Sequence, residues 1–282
     1  MKTVEFTKMQ GIGNDYVYID CFKEKIDDPG ELAKKMSPRR FSVGSDGLIL
    51  ICPSDIADAK MRMFNLDGSE GKMCGNGIRC VAKYVYDNIL KKDRLTIETL
   101  SGIKTINVFA EKGVAKTLSV DMGAPEFSPA KIPCTFDGAE MISEPVDICG
   151  RTYDMTAVSM GNPHAVIFLD DIDLLDLQNE GENFENNPLF PEKVNTEFVK
   201  VIDRKTLKMR VFERGSGETF ACGTGACAVV AAAVKNGICE IDTEITVKLL
   251  GGDLYITYSS GGSINMRGPA KTVYTGKYYI ED

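Results

Sequence analysis

The chain repeats part of itself at a constant distance of 148 residues, and this repeat limits the folds open to it. Met61-Arg-Met-Phe64 returns as Met209-Arg-Val-Phe212, and Cys74-Gly-Asn-Gly77 returns as Cys222-Gly-Thr-Gly225. Without any gap, 8 of the 22 positions in 61–82 are identical in 209–230. Two copies with so long a period predict a duplicated domain rather than a solenoid, whose repeats are short and numerous.

Local patterns within each half are mostly those of β-strands. Such stretches alternate apolar and polar residues, or are rich in β-branched and aromatic side chains, and Gly or Asp-Gly turns separate them. They are 4–9, 16–19, 59–64, 95–99, 104–109, 117–121, 165–169, 207–212, 244–249 and 254–258. Because helices do not alternate with these strands, the pattern favours antiparallel sheets over parallel ones.

Each half also has one main helix, which begins just after its Cys-Gly-x-Gly element. In the first half Ile78, Val81, Val85 and Ile89 fall on one apolar face, whereas 226–234 in the second half is apolar on all sides. A helix that is apolar all round belongs inside the protein. The expected fold class is therefore α+β, with two pseudo-symmetric domains, each an antiparallel β-sheet wrapped around a central helix.

Charge and hydropathy exclude several classes of function. The net charge is −8 over 282 residues, and a basic footprint for nucleic acid or an anionic membrane is missing. No apolar run approaches the roughly 20 residues of a membrane span, and the first ten residues differ from a signal peptide. We therefore expect a cytoplasmic protein without a nucleic-acid or membrane partner.

Nine cysteines and a single histidine direct attention to thiol chemistry. An odd number of cysteines without a secretory signal predicts that most thiols are reduced. One histidine cannot build a His-rich metal site, and it offers a Ser-His-Asp triad only one base. If the chain does chemistry, cysteine is the expected agent.

The repeated Cys-Gly-x-Gly element places a thiol at a helix start. Such a position lowers a thiol pKa, and the glycines let backbone N–H groups point at an anion such as a carboxylate. Two matched thiols on opposite faces of one carbon can remove and return a proton, which inverts that carbon. The duplication therefore predicts a racemase or epimerase with no cofactor and no metal.

Other readings of these cysteines stay open at this point. Cys74 and Cys222 could be small buried hydrophobes, or could form a redox disulfide with each other. Together with Cys80 and Cys227 they could form a structural zinc site, in a zinc- or ligand-binding protein without catalysis, although the spacings are unusual for zinc. The remaining cysteines lack a Gly-rich context and are interpreted as structural: Cys21, Cys52, Cys134, Cys149 and Cys239.

Five motifs in series resemble those of the diaminopimelate epimerase family. They are Phe6-Thr-Lys-Met-Gln-Gly-Ile-Gly-Asn-Asp15, Phe64-Asn-Leu-Asp-Gly-Ser-Glu70, Cys74-Gly-Asn-Gly-Ile-Arg-Cys80, Ser159-Met-Gly-Asn-Pro-His164, and Glu213-Arg-Gly-Ser-Gly-Glu-Thr219 with Ala221-Cys-Gly-Thr-Gly-Ala-Cys227. The likeness extends over nearly the whole chain. Proline racemases, which share the two-cysteine logic, are not expected to carry the Gly-Asn-Pro-His or Glu-Arg-Gly motifs, and a related two-cysteine racemase is the alternative.

The resemblance implies a cofactor-independent conversion of LL-2,6-diaminopimelate to the meso form, on the route to lysine and, in many bacteria, peptidoglycan. It also implies a homodimer in which each chain has two domains with an active-site cleft between them. The N-terminal epimerase domain would comprise 1–122 and 268–282, because the last strand crosses back, and the C-terminal epimerase domain would comprise 123–267.

The resemblance also assigns roles to single residues. Cys74 and Cys222 would be the acid/base pair, and His164 would help move a proton or order the loop of Asn162. The reacting carboxylate would be held by the backbone of Gly75, Asn76, Gly223 and Thr224. The amino groups and the distal centre would be held by Asn14, Asn65, Asn162, Asn195, Glu213 and Arg214. Gly47 stands where some relatives carry Gln, so that a side-chain contact to substrate is absent there.

Overall fold

The computed structural model describes residues 2–280, and positions 1, 281 and 282 of the expected domains lie outside the described residues. The chain divides into two compact units, Met1–Val120 with Gly268–Asp282 (unit 1) and Asp121–Arg267 (unit 2). Within residues 2–280 none of the helices is long and apolar enough to cross a lipid bilayer.

The helices and strands follow one another in an order that is nearly the same in both units. The helices are Pro29–Met36 (α1), Gly75–Asn88 (α2), Leu177–Glu185 (α3) and Gly223–Lys235 (α4), with a single 3-10 turn at Pro129–Lys131. The strands are Lys2–Gly11 (β1), Asn14–Asp20 (β2), Gly47–Cys52 (β3), Ala59–Asn65 (β4), Glu70–Gly71 (β5), Arg94–Thr99 (β6), Gly102–Glu111 (β7), Val114–Gly123 (β8), Glu144–Ile148 (β9), Arg151–Ser159 (β10), Pro163–Phe168 (β11), Asn195–Asp203 (β12), Thr206–Glu213 (β13), Gly217–Glu218 (β14), Glu244–Leu249 (β15), Gly252–Tyr258 (β16), Ile264–Pro269 (β17) and Lys271–Ile280 (β18).

The sheet of unit 1 contains neighbouring strands that are far apart in the sequence. Strand β1 pairs antiparallel with β2 on one side and with β18 on the other. Strand β2 is parallel to β3, β3 is antiparallel to β4, and β4 is parallel to β6, which continues through β7 to β8 in antiparallel order. Helix α2 packs on β1, β2, β4, β6 and β7, so that the strands surround it.

Unit 2 repeats this order of strands. Strands β9, β10 and β11 are antiparallel, β11 is parallel to β12, β12 is antiparallel to β13, and β13 is parallel to β15. Antiparallel pairing then continues through β16 to β17. The expected α+β fold class is confirmed, but the sheets are mixed rather than purely antiparallel, because two parallel pairs occur in each unit.

The 148-residue repeat extends beyond the matched motifs. Adding 148 to the first residue of β3, α1 and α2 gives the first residue of β12, α3 and α4 respectively, and adding it to the first residue of β2 gives the residue just before β11. Helices α1 and α3, which the sequence patterns did not predict, therefore belong to the repeated unit as well.

Helix α4 lies in the centre of unit 2. All residues from Ala226 to Ala233 have side chains with no solvent exposure, and five of these eight are alanines. Small side chains let strands β10, β11, β12 and β16 approach the helix closely. The prediction of a buried central helix, which followed from its apolar surface, is confirmed.

Candidate active site

Cys74 is the N-cap of α2, and its sulfur takes part in the cap. The chain is extended at this residue, and the Gly77 amide donates a hydrogen bond to Cys74 Sγ over 3.3 Å. A Cβ atom on Gly77 would lie 2.7 Å from Ile49 Cδ1, so the second glycine of the motif lets the helix start pack against β3. The local fold thus fixes a half-buried thiol at the positive end of a helix.

Asn14 lies beside this thiol and is itself held by the carboxylate of Asp46. The Cys74 thiol donates to Asn14 Oδ1 over 3.4 Å, and Asn14 Nδ2 donates to Asp46 Oδ2 over 2.8 Å. Asp46 also accepts from the Asp15 amide at 3.0 Å and from Arg39 Nη2 at 2.6 Å. The network orients the Asn14 amide so that its oxygen faces the sulfur.

Arg79 supports the first turn of α2, and sequence reasoning did not single it out. Its side chain is completely buried and donates to Gly75 O at 3.2 Å, to Asn76 Oδ1 at 2.9 Å and to Pro269 O at 3.2 Å. A buried guanidinium is stable only with such partners. The one sequence signal for a buried role of this arginine was its place on the helix, between two positions that are themselves buried.

Gly47 lies directly against its neighbouring strand. A Cβ atom there would be 2.2 Å from Phe64 O and 2.9 Å from Tyr16 Cε1. Any side chain at this position, a glutamine included, would require the backbone to move.

Cys222 repeats the arrangement of Cys74 at the start of α4, but in deeper burial. The Gly225 amide donates to Cys222 Sγ over 3.3 Å, and Thr224 Oγ1 lies 3.4 Å from the same sulfur. Only 5% of the residue is exposed. Gly225 is needed here, because an added Cβ would be 2.6 Å from Glu197 Oε1 and 3.2 Å from Cys222 Sγ.

The expected lowering of the thiol pKa is wrong for Cys222. Burial raises the pKa of this thiol well above its ordinary value, and the carboxyls of Glu213 and Glu197 raise it further. Hydrogen bonds from Thr224 and the Gly225 amide act in the opposite direction and are too weak to compensate. The Cys222 thiol therefore keeps its proton at neutral pH.

His164 is the centre of a buried group of polar side chains in unit 2. His164 Nδ1 lies 2.7 Å from Glu197 Oε1, and His164 Nε2 lies 3.1 Å from Asn162 Oδ1. Asn162 Nδ2 in turn donates to Thr224 Oγ1 over 3.5 Å. The structure thus joins three residues that the sequence singled out, Asn162, His164 and Thr224, to Glu197, which it did not.

The remaining residues singled out by the sequence occupy turns and strand ends. Asn65, at the end of β4, donates to Ser69 Oγ over 3.0 Å, and Glu213, at the corresponding end of β13, accepts a hydrogen bond from the Thr219 hydroxyl. Each therefore lies in the loop that leads to the cysteine of its own unit.

Asn195 fixes backbone rather than presenting a free amide. Its side chain donates to Pro163 O over 3.0 Å and accepts from the Arg214 amide over 2.9 Å. Arg214 itself is exposed, and its guanidinium donates to Glu192 O over 2.9 Å. The contact explains why the sequence carries asparagine at 195, since it ties β11 to the loop after β13.

Within residues 2–280 no disulfide joins any of the nine cysteines. Within residues 2–280, His, Cys, Asp and Glu side chains do not form a group of three or more that could hold a metal ion. Cys80 and Cys227, the other two members of the alternative zinc site, are completely buried within α2 and α4.

Solved structures with the same fold define a class that includes racemases, epimerases and phenazine biosynthesis proteins. A probable proline racemase from Agrobacterium radiobacter has a TM-score of 0.71 at 13% identity, covering 99% of this chain and 93% of that one. A hydroxyproline epimerase from Agrobacterium vitis has a TM-score of 0.69 at 12% identity, covering 99% and 91%. A phenazine biosynthesis protein from Bacillus anthracis has a TM-score of 0.70 at 19% identity, covering 99% and 100%.

Sequence comparison identifies the family within that class. The family model described as diaminopimelate epimerase matches residues 6–128 and 156–273. Diaminopimelate epimerase of Desulfovibrio desulfuricans is 54% identical, covering 98% of this chain and 99% of the relative, and that of Acetivibrio thermocellus is 53% identical, covering 99% and 100%. The chain belongs to the diaminopimelate epimerase family, and the resemblance is confirmed.

Proposed function

We propose that this protein converts LL-2,6-diaminopimelate to meso-diaminopimelate without a cofactor, with Cys74 and Cys222 as its acid/base pair. The observation that carries the proposal is the matched start of α2 and α4, where a cysteine sulfur accepts an amide N–H over 3.3 Å in each unit. Family membership supplies the substrate, because the relatives are diaminopimelate epimerases.

The reaction needs one group that can gain or lose a proton on each face of the α-carbon. One sulfur, as thiolate, takes the hydrogen of the α-carbon, and the electron pair of that bond is delocalised into the carboxylate as an enediolate. The other sulfur, as thiol, delivers its proton to the opposite face. The carbon is inverted, the number of protons is unchanged, and the sulfurs have exchanged protonation states, so that the reverse reaction uses the same groups.

The helix starts supply the charge stabilisation that this intermediate requires. Backbone N–H groups of Gly75, Asn76, Gly223 and Thr224 are proposed to hold the reacting carboxylate, whose negative charge grows as the proton leaves. Removal of one such donor from an oxyanion site slows catalysis by about 10²–10³-fold.

The other end of the substrate needs groups that recognise a second amino acid centre. Asparagine amides donate and accept, which suits an ammonium beside a carboxylate, and an arginine binds a carboxylate through two parallel hydrogen bonds. For this role we propose Asn14, Asn65, Asn162, Asn195, Glu213 and Arg214. Asn195 would act through the backbone of Arg214, to which it is hydrogen bonded.

The two cysteines start the reaction from different protonation states. Because burial raises its pKa, Cys222 is the proton donor of the resting enzyme. Cys74, whose half-buried thiol donates to Asn14 Oδ1 in the structure, must then lose that proton to act as the base. The scheme further includes a homodimer in the cytoplasm, where reducing conditions keep both thiols from forming disulfides. Sedimentation velocity tests the dimer.

Incubation with LL-diaminopimelate in deuterated water tests the reaction. We expect solvent deuterium first at the inverted carbon of the meso product, because the sulfur that delivers the proton is not the one that removed it. Absence of deuterium from diaminopimelate, with exchange into L-proline instead, would favour the related racemase. Equal early labelling of substrate and product would contradict the use of two bases.

Single cysteine variants test the assigned residues. Cys74→Ala and Cys222→Ala should each lower kcat by at least about 10²–10⁴-fold, the usual contribution of a general acid or base. Cys149→Ala, at an exposed cysteine outside both motifs, should retain the activity of the unaltered protein. Substantial activity in either motif variant would overturn the pairing.

A further inference from the structure

Glu197 is a carboxyl group buried in the interior of unit 2. Neither Glu197 nor its partner His164 has any solvent exposure. Oε1 lies 2.7 Å from His164 Nδ1, whereas Oε2 has no hydrogen-bond partner among residues 2–280. Burying a carboxylate with so little compensation is unfavourable, and a buried polar atom without a partner calls for a reason.

A continuous row of hydrogen bonds connects this carboxyl to the sulfur of Cys222. From Glu197 it passes to His164 over 2.7 Å and to Asn162 over 3.1 Å. From Asn162 it passes to Thr224 over 3.5 Å and to Cys222 Sγ over 3.4 Å. All five residues belong to unit 2.

The chemistry of the amide fixes the direction of this row. Asn162 Nδ2 donates to Thr224, so its oxygen faces His164 and can only accept, which places a proton on His164 Nε2. Thr224, which accepts from Asn162, has its own hydroxyl proton available to donate to Cys222 Sγ. One further proton lies between His164 Nδ1 and Glu197 Oε1.

That proton makes the pair of side chains electrically neutral. Burial raises the pKa of the Glu197 carboxyl, although His164 acts against the shift, so the neutral acid is favoured. The other charged or titratable groups that act on this site are Glu213, which raises both pKa values, and Cys222 itself. When this proton is present, a thiolate at Cys222 lies near one carboxylate, that of Glu213. When the proton is lost, the thiolate lies near two carboxylates, those of Glu213 and Glu197.

The other half of the repeat carries different residues at the positions of this histidine and glutamate. At the 148-residue offset, His164 corresponds to Tyr16 and Glu197 corresponds to Ile49. The Asn14 amide in unit 1 is held instead by Asp46, which is ion-paired to Arg39. The two cysteines therefore have matched backbones and different supporting side chains.

We propose that Glu197 is a positioning residue that shares one proton with His164 and so sets the protonation and orientation of the Cys222 thiol. This inference rests on the proposed function for its meaning in catalysis. Its physical content, the proton on His164 Nε2 and the coupling of Glu197 to Cys222, can be measured without substrate.

The single histidine makes the first measurement direct. Protein labelled with ¹⁵N in histidine gives one imidazole in the NMR spectrum, because His164 is the only histidine of the chain. We expect a proton on Nε2 throughout neutral pH and a strongly deshielded proton shared at Nδ1. An imidazole whose Nε2 carries no proton would overturn the proposal without any substitution.

Glu197→Gln tests the coupling to the thiol, since it preserves the volume but cannot lose a proton. Alkylation of Cys222 by iodoacetamide, followed by mass spectrometry of its peptide, should show a midpoint about one pH unit lower, or about tenfold more thiolate, because the unaltered pair becomes a second carboxylate near the thiol once it loses its proton at alkaline pH, whereas glutamine stays neutral. The midpoint for Cys74 should not move. The kcat should fall about tenfold with KM within twofold, and its pH profile should shift with the alkylation midpoint.

Glu140→Gln is the matched control, because Glu140 binds Lys235 at the opposite end of α4. It should leave both midpoints and kcat unchanged. Glu197→Asp, which keeps a titratable carboxyl, should restore most of the unaltered midpoint. A folded Glu197→Gln protein with an unchanged Cys222 midpoint refutes the proposal, whereas failure of the unaltered protein to epimerise diaminopimelate refutes only the proposed function.

Discussion

At the scale of single residues, the repeated Cys-Gly-x-Gly element places two cysteines in unequal surroundings. Cys74 is half-buried beside the Asn14 amide, whereas Cys222 is buried near two carboxyls that raise its pKa. Helix starts favour thiolates, but the loss of hydration on burial acts on every charged form and is the larger effect at Cys222. The acid/base pair is therefore matched in geometry and unequal in electrostatics.

Cys80 gives a prediction for stability at alkaline pH. Burial raises the pKa of this thiol from 9.0 to about 11, so the folded state holds the proton more tightly than the unfolded state. The resulting stabilisation is complete below pH 9 and is lost as the pH rises towards 11. Between pH 8 and 10.5 the loss is about 2 kcal/mol.

Urea unfolding of the unaltered protein and of Cys80→Ala at these two pH values measures the loss. The unaltered protein should lose more stability than the variant, and the difference should be close to this figure. Other buried thiols, including Cys239 with a pKa of about 11, contribute equally to both proteins. Identical pH dependence in the two would show that Cys80 is not the source.

Sequence predicted the cysteines and the glycines of the site but not their buried support. The motif glycines could be found because close packing at a helix start accepts only glycine, a property that is visible locally. Glu197 and Arg79 could not, since a lone charged residue in a strand or helix usually faces solvent. Their burial depends on residues distant in the chain, His164 for one and Pro269 for the other.

At the scale of elements, the second glycine of each motif controls how closely a helix start approaches its strand. In unit 2 a Cβ on Gly225 would meet the buried Glu197 carboxyl at 2.6 Å, whereas in unit 1 a Cβ on Gly77 would meet Ile49 Cδ1 at 2.7 Å. The aliphatic end can rotate away, but the carboxyl is held by His164.

Gly225→Ala should therefore be more harmful than Gly77→Ala. We expect a loss of about 1–3 kcal/mol for Gly225→Ala, as for other overpacked interiors, and a smaller loss for Gly77→Ala, with thermal unfolding as the measurement. Gly261→Ala serves as a control, because the nearest atom to its added Cβ is Ser259 Oγ at 3.6 Å. Equal effects at the two motif glycines would mean that the carboxyl is free to move.

Hydrophobic periodicity was sufficient to predict the central helices and most strands, but it was insufficient to predict which strands pair and in which direction. Alternation shows which face of a strand is buried, but does not show that β2 lies parallel to β3 or β11 parallel to β12. Helix α3 is weakly marked because it contains Gly181, whose missing side chain leaves space for the ring of Phe212. Such a glycine lowers helix propensity and is explained only by packing.

At the scale of the whole molecule, unit 1 is assembled from both ends of the described chain. Strand β18 pairs with β1 along nearly its full length, and Gly276 lies opposite Phe6. A Cβ on Gly276 would be 2.8 Å from the Phe6 ring. The pairing of these two strands therefore depends on the Phe6 ring in β1 and on the absence of a side chain at Gly276 in β18.

Gly276→Leu should weaken unit 1 without directly affecting unit 2. The expected loss is about 1–3 kcal/mol, which corresponds to roughly tenfold to hundredfold faster amide exchange in β1 and β18. Hydrogen exchange followed by mass spectrometry should find β12 and α4 unchanged. Thr275→Leu, at an exposed position of the same strand, should leave exchange unchanged; equal acceleration in both units would instead show that they open together.

The pairing of β1 with β18 also sets the order in which a growing chain can mature on the ribosome. The whole of 121–267 is translated before β18, so unit 2 has all its strands while β1 still lacks one neighbour. During that interval β1 presents an unpaired edge, the kind of surface that recruits other chains. Newly made protein is therefore most exposed to misassembly in β1, and translation of β18 ends that exposure.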